Sequence, residues 1–226
     1  MEQIVLDRLL KEDAVGMMLP RELDLVKIFG VSRATVKKVT DSLSAKGLIH
    51  RKRSVGTQIV HLGVVEDLAR LTSYSEQMAA RGMHVSTEVV EVVEHAPDRK
   101  VRDQLRLRPE ERTLCIRRLR GTSAVFPVVL LQSEIPASFG VDPGEDFHGS
   151  LYRLLEQKYR IPIEWGEEEI GAGRASAVEA TRLRITEGDP VLIMQRTTYT
   201  RGKRPLEFVR AVYRPEHYTF SIRLKR

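Results

Sequence analysis

The sequence predicts an α+β protein in two units: a small helical N-terminal unit closed by a β-hairpin, then a larger domain built on an antiparallel sheet. Three observations predict it. Apolar residues keep helical spacing through the first 45 positions, the spacing turns to alternation beyond position 85, and positive charge gathers at the front of the chain. Residues 1–61 hold 11 Lys/Arg against 7 Asp/Glu, whereas the other 165 hold 26 against 24. Seven cations lie between Ser32 and Arg53 (Arg33, Lys37, Lys38, Lys46, Arg51, Lys52, Arg53) with one anion, Asp41. That segment alone matches the +6 of the whole 226-residue chain, which points to a polyanionic partner.

Each N-terminal element has a local cause. In IVLDRLL, Val5 with Leu9 and Leu6 with Leu10 predict a short amphipathic helix over residues 3–13. Pro20 opens a second helix whose Leu23, Leu25, Val26 and Phe29 keep helical spacing, and Gly30 supplies its left-handed stop. Met17 and Met18 read as packing at a helix end. After the turn GVS, Ser32 caps a third helix that turns Val36, Val39 and Leu43 inward and sets Arg33 and Lys37 on another face. Helix, three-residue turn, helix, with Arg33 and Thr35 opening the second, is the helix-turn-helix pattern that reads the major groove. A helix end at Gly47, strands over Leu48 to Lys52 and Thr57 to Val60, and a turn at SVG add a basic wing.

Residues 62–71 read as a short, partly ordered connector, because they hold no Pro/Gly/Ser tract. Ser73 with Glu76 makes a capping box for a helix that Gly82 ends. Extended, Val/Ile/Thr-rich segments follow: VSTEVVEVVEHA, TLCIRRLRG, FPVVLLQSEI, IPIEWGEEEIGAG, PVLIMQRTTYTRG and RPLEFVRAVYR. Short helices are expected at Asp98 to Leu105, Gly149 to Tyr159 and Ser176 to Leu183. Trp165 and the Phe residues take strand-like core positions. The single Cys115 cannot form an internal disulfide and sits in an alternating strand, where packing explains it. No apolar run approaches a membrane span and the N-terminus is too acidic for a secretory signal, so a cytoplasmic protein is expected.

LPRELDLVKIFGVSRATVKKVTDSLSAKGLIHRKRSVGTQIV resembles, without a gap, the winged helix of the GntR superfamily of bacterial transcription regulators. The resemblance implies DNA contacts from Arg21, Ser32, Arg33, Thr35, Lys37, Lys38, Arg51, Lys52, Arg53 and Gly56. Arg33 is suited to bidentate readout of guanine, and Lys37, Lys38 and Arg51 to Arg53 to phosphates. Leu23 stands where the family usually has Arg, and Ser54-Val55 where it has Gly-Lys. Each departure removes an expected DNA contact.

Residues 66–226 resemble the UTRA effector-binding domain of the HutC subfamily, through LTSYSEQMAARG, RRLRGT, FHGSLYRLLEQKY, ASAVEATRLRITEGDPVL and GKRPLEFVRAVYRPEHYTF. That family's fold is an antiparallel sheet with flanking helices, related to chorismate lyase, with a small-molecule pocket and a dimer interface. By position, the resemblance puts Ser73, Tyr74 and Ser75 at a phosphate-holding helix start. It adds Arg118 and Arg120, Ser150 and Tyr152, and Glu207 and Tyr213 as further effector contacts. Arg118 and Arg120, two apart on a strand, share one face, where they repel unless an anion or carboxylates lie between them. The family's usual acid after this strand falls on Leu131, which cannot accept sugar hydroxyls.

The expected organisation is therefore a winged helix over 1–61, a connector over 62–71 and a UTRA domain over 72–226. The expected function is a homodimeric, ligand-responsive regulator, a repressor released from a palindromic double-stranded DNA operator by a small anion, either a phosphorylated sugar or an organic acid. Two alternatives stay open: a DNA-binding dimer whose second domain only dimerises, and a lyase-like enzyme. Against the enzyme, the six histidines show no metal-type spacing, no nucleophile motif occurs, and GAGRAS lacks the spacing and Lys of a phosphate loop. Neither a cofactor nor a metal is expected.

Overall fold

The computed structural model describes residues 17–45, 49–52, 56–59, 64–80, 83–122, 125–222 and 224. The expected helix over 3–13 lies outside them. The N-terminal unit opens with β1 (Met18–Leu19), followed by α1 (Glu22–Phe29) and α2 (Arg33–Ala45), then the hairpin β2 (Ile49–Lys52) and β3 (Gly56–Ile59). Gly30 ends α1 in the left-handed region at φ 63°, and its N–H donates to the Val26 carbonyl. Ser32 caps α2, its hydroxyl accepting from Thr35 N–H at 3.1 Å. Leu25, Val36, Val39, Leu43, Ile49 and Ile59 form one buried core with Leu19.

Two sequence readings fail in this unit. Leu23 fits the apolar spacing of α1 yet is 62% exposed, because the inward stripe runs through Leu25, Val26 and Phe29 and leaves Leu23 and Ile28 outside. Met17 and Met18 do not pack at a helix end: Met18 lies in β1, which pairs antiparallel with β3, and both side chains are exposed. So short a strand gives too few residues for any alternation to register.

The larger sheet has the order β5-β6-β7-β10-β9-β8, with all neighbours antiparallel. Its strands are β5 (Val85–His95), β6 (Thr113–Thr122), β7 (Val129–Pro136), β8 (Trp165–Arg174), β9 (Pro190–Thr200) and β10 (Arg204–Tyr213). All six expected strands and all three expected helices are present. The helices are α4 (Arg99–Leu105), α5 (Leu151–Arg153, continuing as wider π-type turns over Leu154–Lys158) and α6 (Ala177–Leu183). Asp98 and Ser176 cap α4 and α6, and Ser176 closes a capping box with Glu179, which accounts for the end of the GAGRAS stretch. Edge strand β8 leaves Trp165 part-exposed and stacked on Tyr199 at 3.9 Å, so Trp165 is an edge residue as well as a packing one.

The sheet is covered on both faces. On one, α3 (Tyr74–Ala80) brings Tyr74 and Met78 onto Leu131, Met194, Val209, Ala211 and Tyr213, while α5 brings Leu151 and Leu155 onto Leu114, Ile116 and Ile135. On the other, α4 packs Val101 and Leu105 on Phe208, and α6 packs Ala180 and Leu183 on Leu119, Val191 and Val212. The residue alternation of the strands requires this division. One pairing was not foreseen: β4 (Val64–Asp67), inside the expected connector, pairs in parallel with the C-terminal β11 (Tyr218–Ser221).

Gly56 has φ 126°, outside the region open to ordinary L-residues, and a Cβ there would also meet the Met18 methyl at 2.6 Å. The methionine end can swing aside; the backbone angle remains. Gly56→Ala is therefore expected to cost the winged unit about 1–3 kcal/mol, read by denaturant unfolding, and an unchanged midpoint would contradict the wing geometry.

Candidate DNA-binding surface and effector pocket

Ser32, Arg33, Lys37 and Lys38 all lie exposed on the first turns of α2, and Thr35 is half-buried beside them. The Arg33 side chain is 74% exposed and, among the described residues, makes only a 3.7 Å contact with Glu22. It is free to extend. The Ser32 and Thr35 hydroxyls bond each other at 2.8 Å, so capping occupies part of their capacity. Arg21 precedes α1 and lines a groove with Leu19, Thr40, Arg51 and Gly56, between α1 and the wing. Arg51 also has partners within the fold. Its guanidinium donates to Asp41 at 2.7 Å and to Thr40 at 2.6 Å, which braces the wing against α2. Lys52 lies in β2, and Arg53, Ser54 and Val55 fall outside the described residues.

The second site lies under α3. Arg118 and Arg120 rise side by side from β6 and are 3% and 2% exposed. Among the described residues, Arg118 reaches only the Phe147 and Gly149 carbonyls at 3.4 Å, and its Nε–H has no partner. Arg120 donates to Thr87 at 3.1 Å and Ser75 at 2.8 Å and lies over the Tyr74 ring at 5.3 Å. Among the described residues, no carboxylate comes within ion-pair distance of either guanidinium. Burial holds the Arg118 pKa below its ordinary value, with the Glu207 charge partly opposing; burial and then Arg118 push Arg120 down to about 9.

Facing them are Tyr152 from α5, Glu207 and Tyr213 from β10, and an apolar wall of Leu131, Met194 and Val209. Glu207 is 2% exposed and, among the described residues, its Oε2 has no hydrogen-bond partner. Burial raises its pKa, opposed by Ser133, Arg118, Arg196 and Tyr152. Burial, and next Glu207, also raise that of the Tyr152 phenol. The residual cavity of about 50 Å³ admits a small oxyanion, whereas a sugar ring requires its walls to move.

Every sequence-named effector residue lies in or beside this pocket, with two qualifications. The Ser73 N–H and hydroxyl both donate to Glu76, at 2.7 and 2.9 Å, so the cap is closed by the chain's own acid. Ser150 caps α5 and stands 3.4 Å from the Ser73 hydroxyl. Sequence reasoning missed Arg196, a third pocket guanidinium, 5% exposed, paired with Glu168 and donating to the Thr72 carbonyl at 3.1 Å. Its i, i+2 relation to Met194 gave the only signal. A larger groove of about 570 Å³ lies between α6 and strands β5, β6, β7 and β10; two of its three arginines are paired, Arg117 with Glu91 and Arg210 with Glu179, and Arg182 lies at its α6 wall.

A helix-turn-helix with a hairpin wing, joined to a six-stranded antiparallel domain, defines a class of winged-helix DNA-binding regulators. The chain belongs to the GntR family of bacterial regulatory proteins, whose model matches residues 2–59, and its second part is a UTRA domain, matched over residues 80–219. It is similar to the HTH-type transcriptional repressor NagR of Bacillus subtilis, 30% identical over 90% of this chain and 84% of that protein. It is also similar to the HTH-type transcriptional regulator Rv0792c of Mycobacterium tuberculosis, 32% identical over 93% of this chain and 79% of that one. The structure of PhnF from Mycobacterium smegmatis shares the fold at TM-score 0.71 and 24% identity, over 100% of this chain and 99% of that one. The expected HutC-type resemblance therefore stands, and the lyase-like enzyme is set aside, because the family and its named members are transcription regulators. Among the described residues, no helix is long and apolar enough to cross a membrane.

Glu207 offers a pH test. Its raised pKa means that the buried acid form is favoured, so folding gains stability below the ordinary carboxylate range and loses it as pH rises through the shifted value. Glu207→Gln should melt a few degrees above wild type at pH 8, with the gap closing by pH 4. A gap that is constant with pH would contradict the burial assignment.

Proposed function

We propose that the protein is a cytoplasmic, homodimeric, ligand-responsive repressor that leaves a palindromic operator when a small anion enters the pocket under α3. The observation that carries this reading is the pair of buried arginines, Arg118 and Arg120, without an acid between them. Two like charges held in a dry site cost stability, and an anion between them removes that cost. The organisation that fits is a DNA-reading unit over 1–61, a connector over 62–71 and a sensing and dimerising unit over 72–226. Two reading heads then engage half-sites about one DNA turn apart.

Effector chemistry follows from the walls. Arg118 and Arg120 take the anionic end, Glu207 takes a hydroxyl or amine, and Leu131, Met194 and Val209 take an apolar portion. This favours an organic acid or a sparsely hydroxylated phosphate over a fully hydroxylated sugar phosphate. A pure dimerisation module has no use for such a set of buried charges.

A route to the DNA-reading unit runs through Tyr218. Its hydroxyl donates to Gln77 of α3 at 2.8 Å, and its ring packs on pocket-lining Tyr213 at 4.0 Å. Tyr218 begins β11, which holds the connector strand β4. Met83, just beyond α3, packs against the cores of both units. Ligand-driven movement of α3 is thereby passed to the connector, and its coupling equals the effector's differential affinity for the two arrangements.

Fluorescence anisotropy on a selected operator, with a panel of phosphates and carboxylic acids as releasing agents, tests the proposal. Arg33→Ala should lose operator preference by about 10- to 100-fold, one base contact being worth about 1–3 kcal/mol, while still binding effector. Arg118→Ala should bind DNA normally and resist release, and Tyr218→Phe should bind effector yet release DNA less completely. Normal release in Arg118→Ala would remove the pocket from the mechanism; unchanged operator choice in Arg33→Ala would remove α2.

A further inference from the structure

On the sheet face opposite the pocket, three metal-ligating side chains meet from three adjacent strands. Register sets Cys115 of β6 directly across from Glu134 of β7 and across from Val93 of β5, two positions before His95. The His95 ring nitrogen, the Cys115 sulfur and a Glu134 oxygen all lie within 4.8 Å of one another. Cys115 is fully buried, Glu134 is 1% exposed, and the His95 side chain, 35% exposed, lies over them. His95 Nε2 is 3.0 Å from Glu134 Oε2.

A buried carboxylate ordinarily has a permanent counter-charge. Among the described residues, no Lys or Arg comes within ion-pair distance of Glu134, and His95 is its one basic neighbour at that range. The carboxylate is instead oriented by neutral donors: the Thr113 hydroxyl at 2.7 Å and the Gln132 amide at 2.9 Å. Outer-shell donors of this kind fix ligating carboxylates in metal sites.

We propose that His95, Cys115 and Glu134 form a binding site for a zinc-class divalent transition metal, distinct from the effector pocket. Thiolate, imidazole and carboxylate together favour zinc or cobalt over magnesium or calcium, which take oxygen ligands. Tetrahedral bonds of about 2.0–2.3 Å set ligand atoms about 3.3–3.8 Å apart, so side-chain shifts on the order of 1 Å complete the site. On binding, the Cys115 sulfur–metal bond replaces its S–H bond, and that proton leaves to the buffer. His95 ligates through Nε2 with its proton on Nδ1, and the fourth position opens to solvent beside the half-exposed ring. Edge strand β5 carries His95, so rotation of that ring provides the entry path. The sequence concealed the site because its ligands come from three strands and not from one motif.

Cys115 is the chain's only cysteine, so any thiolate-to-metal signal has one source. The test is Co²⁺ titration of untagged, full-length, chelator-treated protein, followed in the near ultraviolet and visible. One equivalent should produce a thiolate-to-cobalt band that Zn²⁺ displaces. Cys115→Ser should abolish the band, and His95→Ala should weaken Co²⁺ binding at least tenfold while the metal-free protein still unfolds cooperatively. No band at saturating Co²⁺ in the wild type, a band persisting in Cys115→Ser, or unchanged affinity in folded His95→Ala would each overturn the site.

Discussion

Two guanidiniums buried two residues apart on one strand are the constraint around which the C-terminal domain is arranged. Among the described residues, Arg118 and Arg120 bond only to carbonyls and hydroxyls and lie against an aromatic ring, with the buried Glu207 facing them beyond ion-pair distance. Their position is fixed by the alternation of β6, which cannot turn one inward without the other. Their partial compensation comes from the elements that cover the pocket. Ser75 and Tyr74 come from α3, and the Phe147 and Gly149 carbonyls from the segment leading into α5. In the proposed function, an anion entering here exchanges weak neutral contacts for charge-assisted ones and shifts the balance of that cover.

Arg196 extends the same logic. It links Glu168 on an edge strand to the Thr72 carbonyl at the entrance to α3, so the helix over the pocket is tethered by a third cation. Tyr218 then ties the far side of α3 to β11 and hence to β4. The connector thus holds a strand paired with the UTRA domain and is not a loose tether. In the proposed function, this pairing is the link by which a change under α3 reaches the DNA-reading unit.

Elements fixed by local chemistry were legible in the sequence. Gly30, Ser32 and the Ser73–Glu76 box mark helix ends because caps act within four residues. The six long strands were legible from β-rich composition and turn spacing. What escaped depends on distant partners. The two-residue β1 exists only because β3 offers it an edge, and β4 pairs with a strand some 150 positions later. Leu23 misled because spacing gives a stripe but not its width, and the Arg51–Asp41 bond escaped because no local pattern pairs residues ten apart on different elements. In the pocket, the i, i+2 arginines were legible, whereas Arg196 was not, since its role is set by contacts with Glu168 and Thr72 across the fold.

The claim that the arginine pair waits for an anion is tested most directly by melting the wild type and Arg120→Ala in sulfate and in chloride at equal ionic strength. The account predicts that the wild-type melting temperature rises along a saturating curve with sulfate and not with chloride, and that the rise disappears in Arg120→Ala. An equal response to both salts in the wild type, or a sulfate response that survives in the variant, would contradict it.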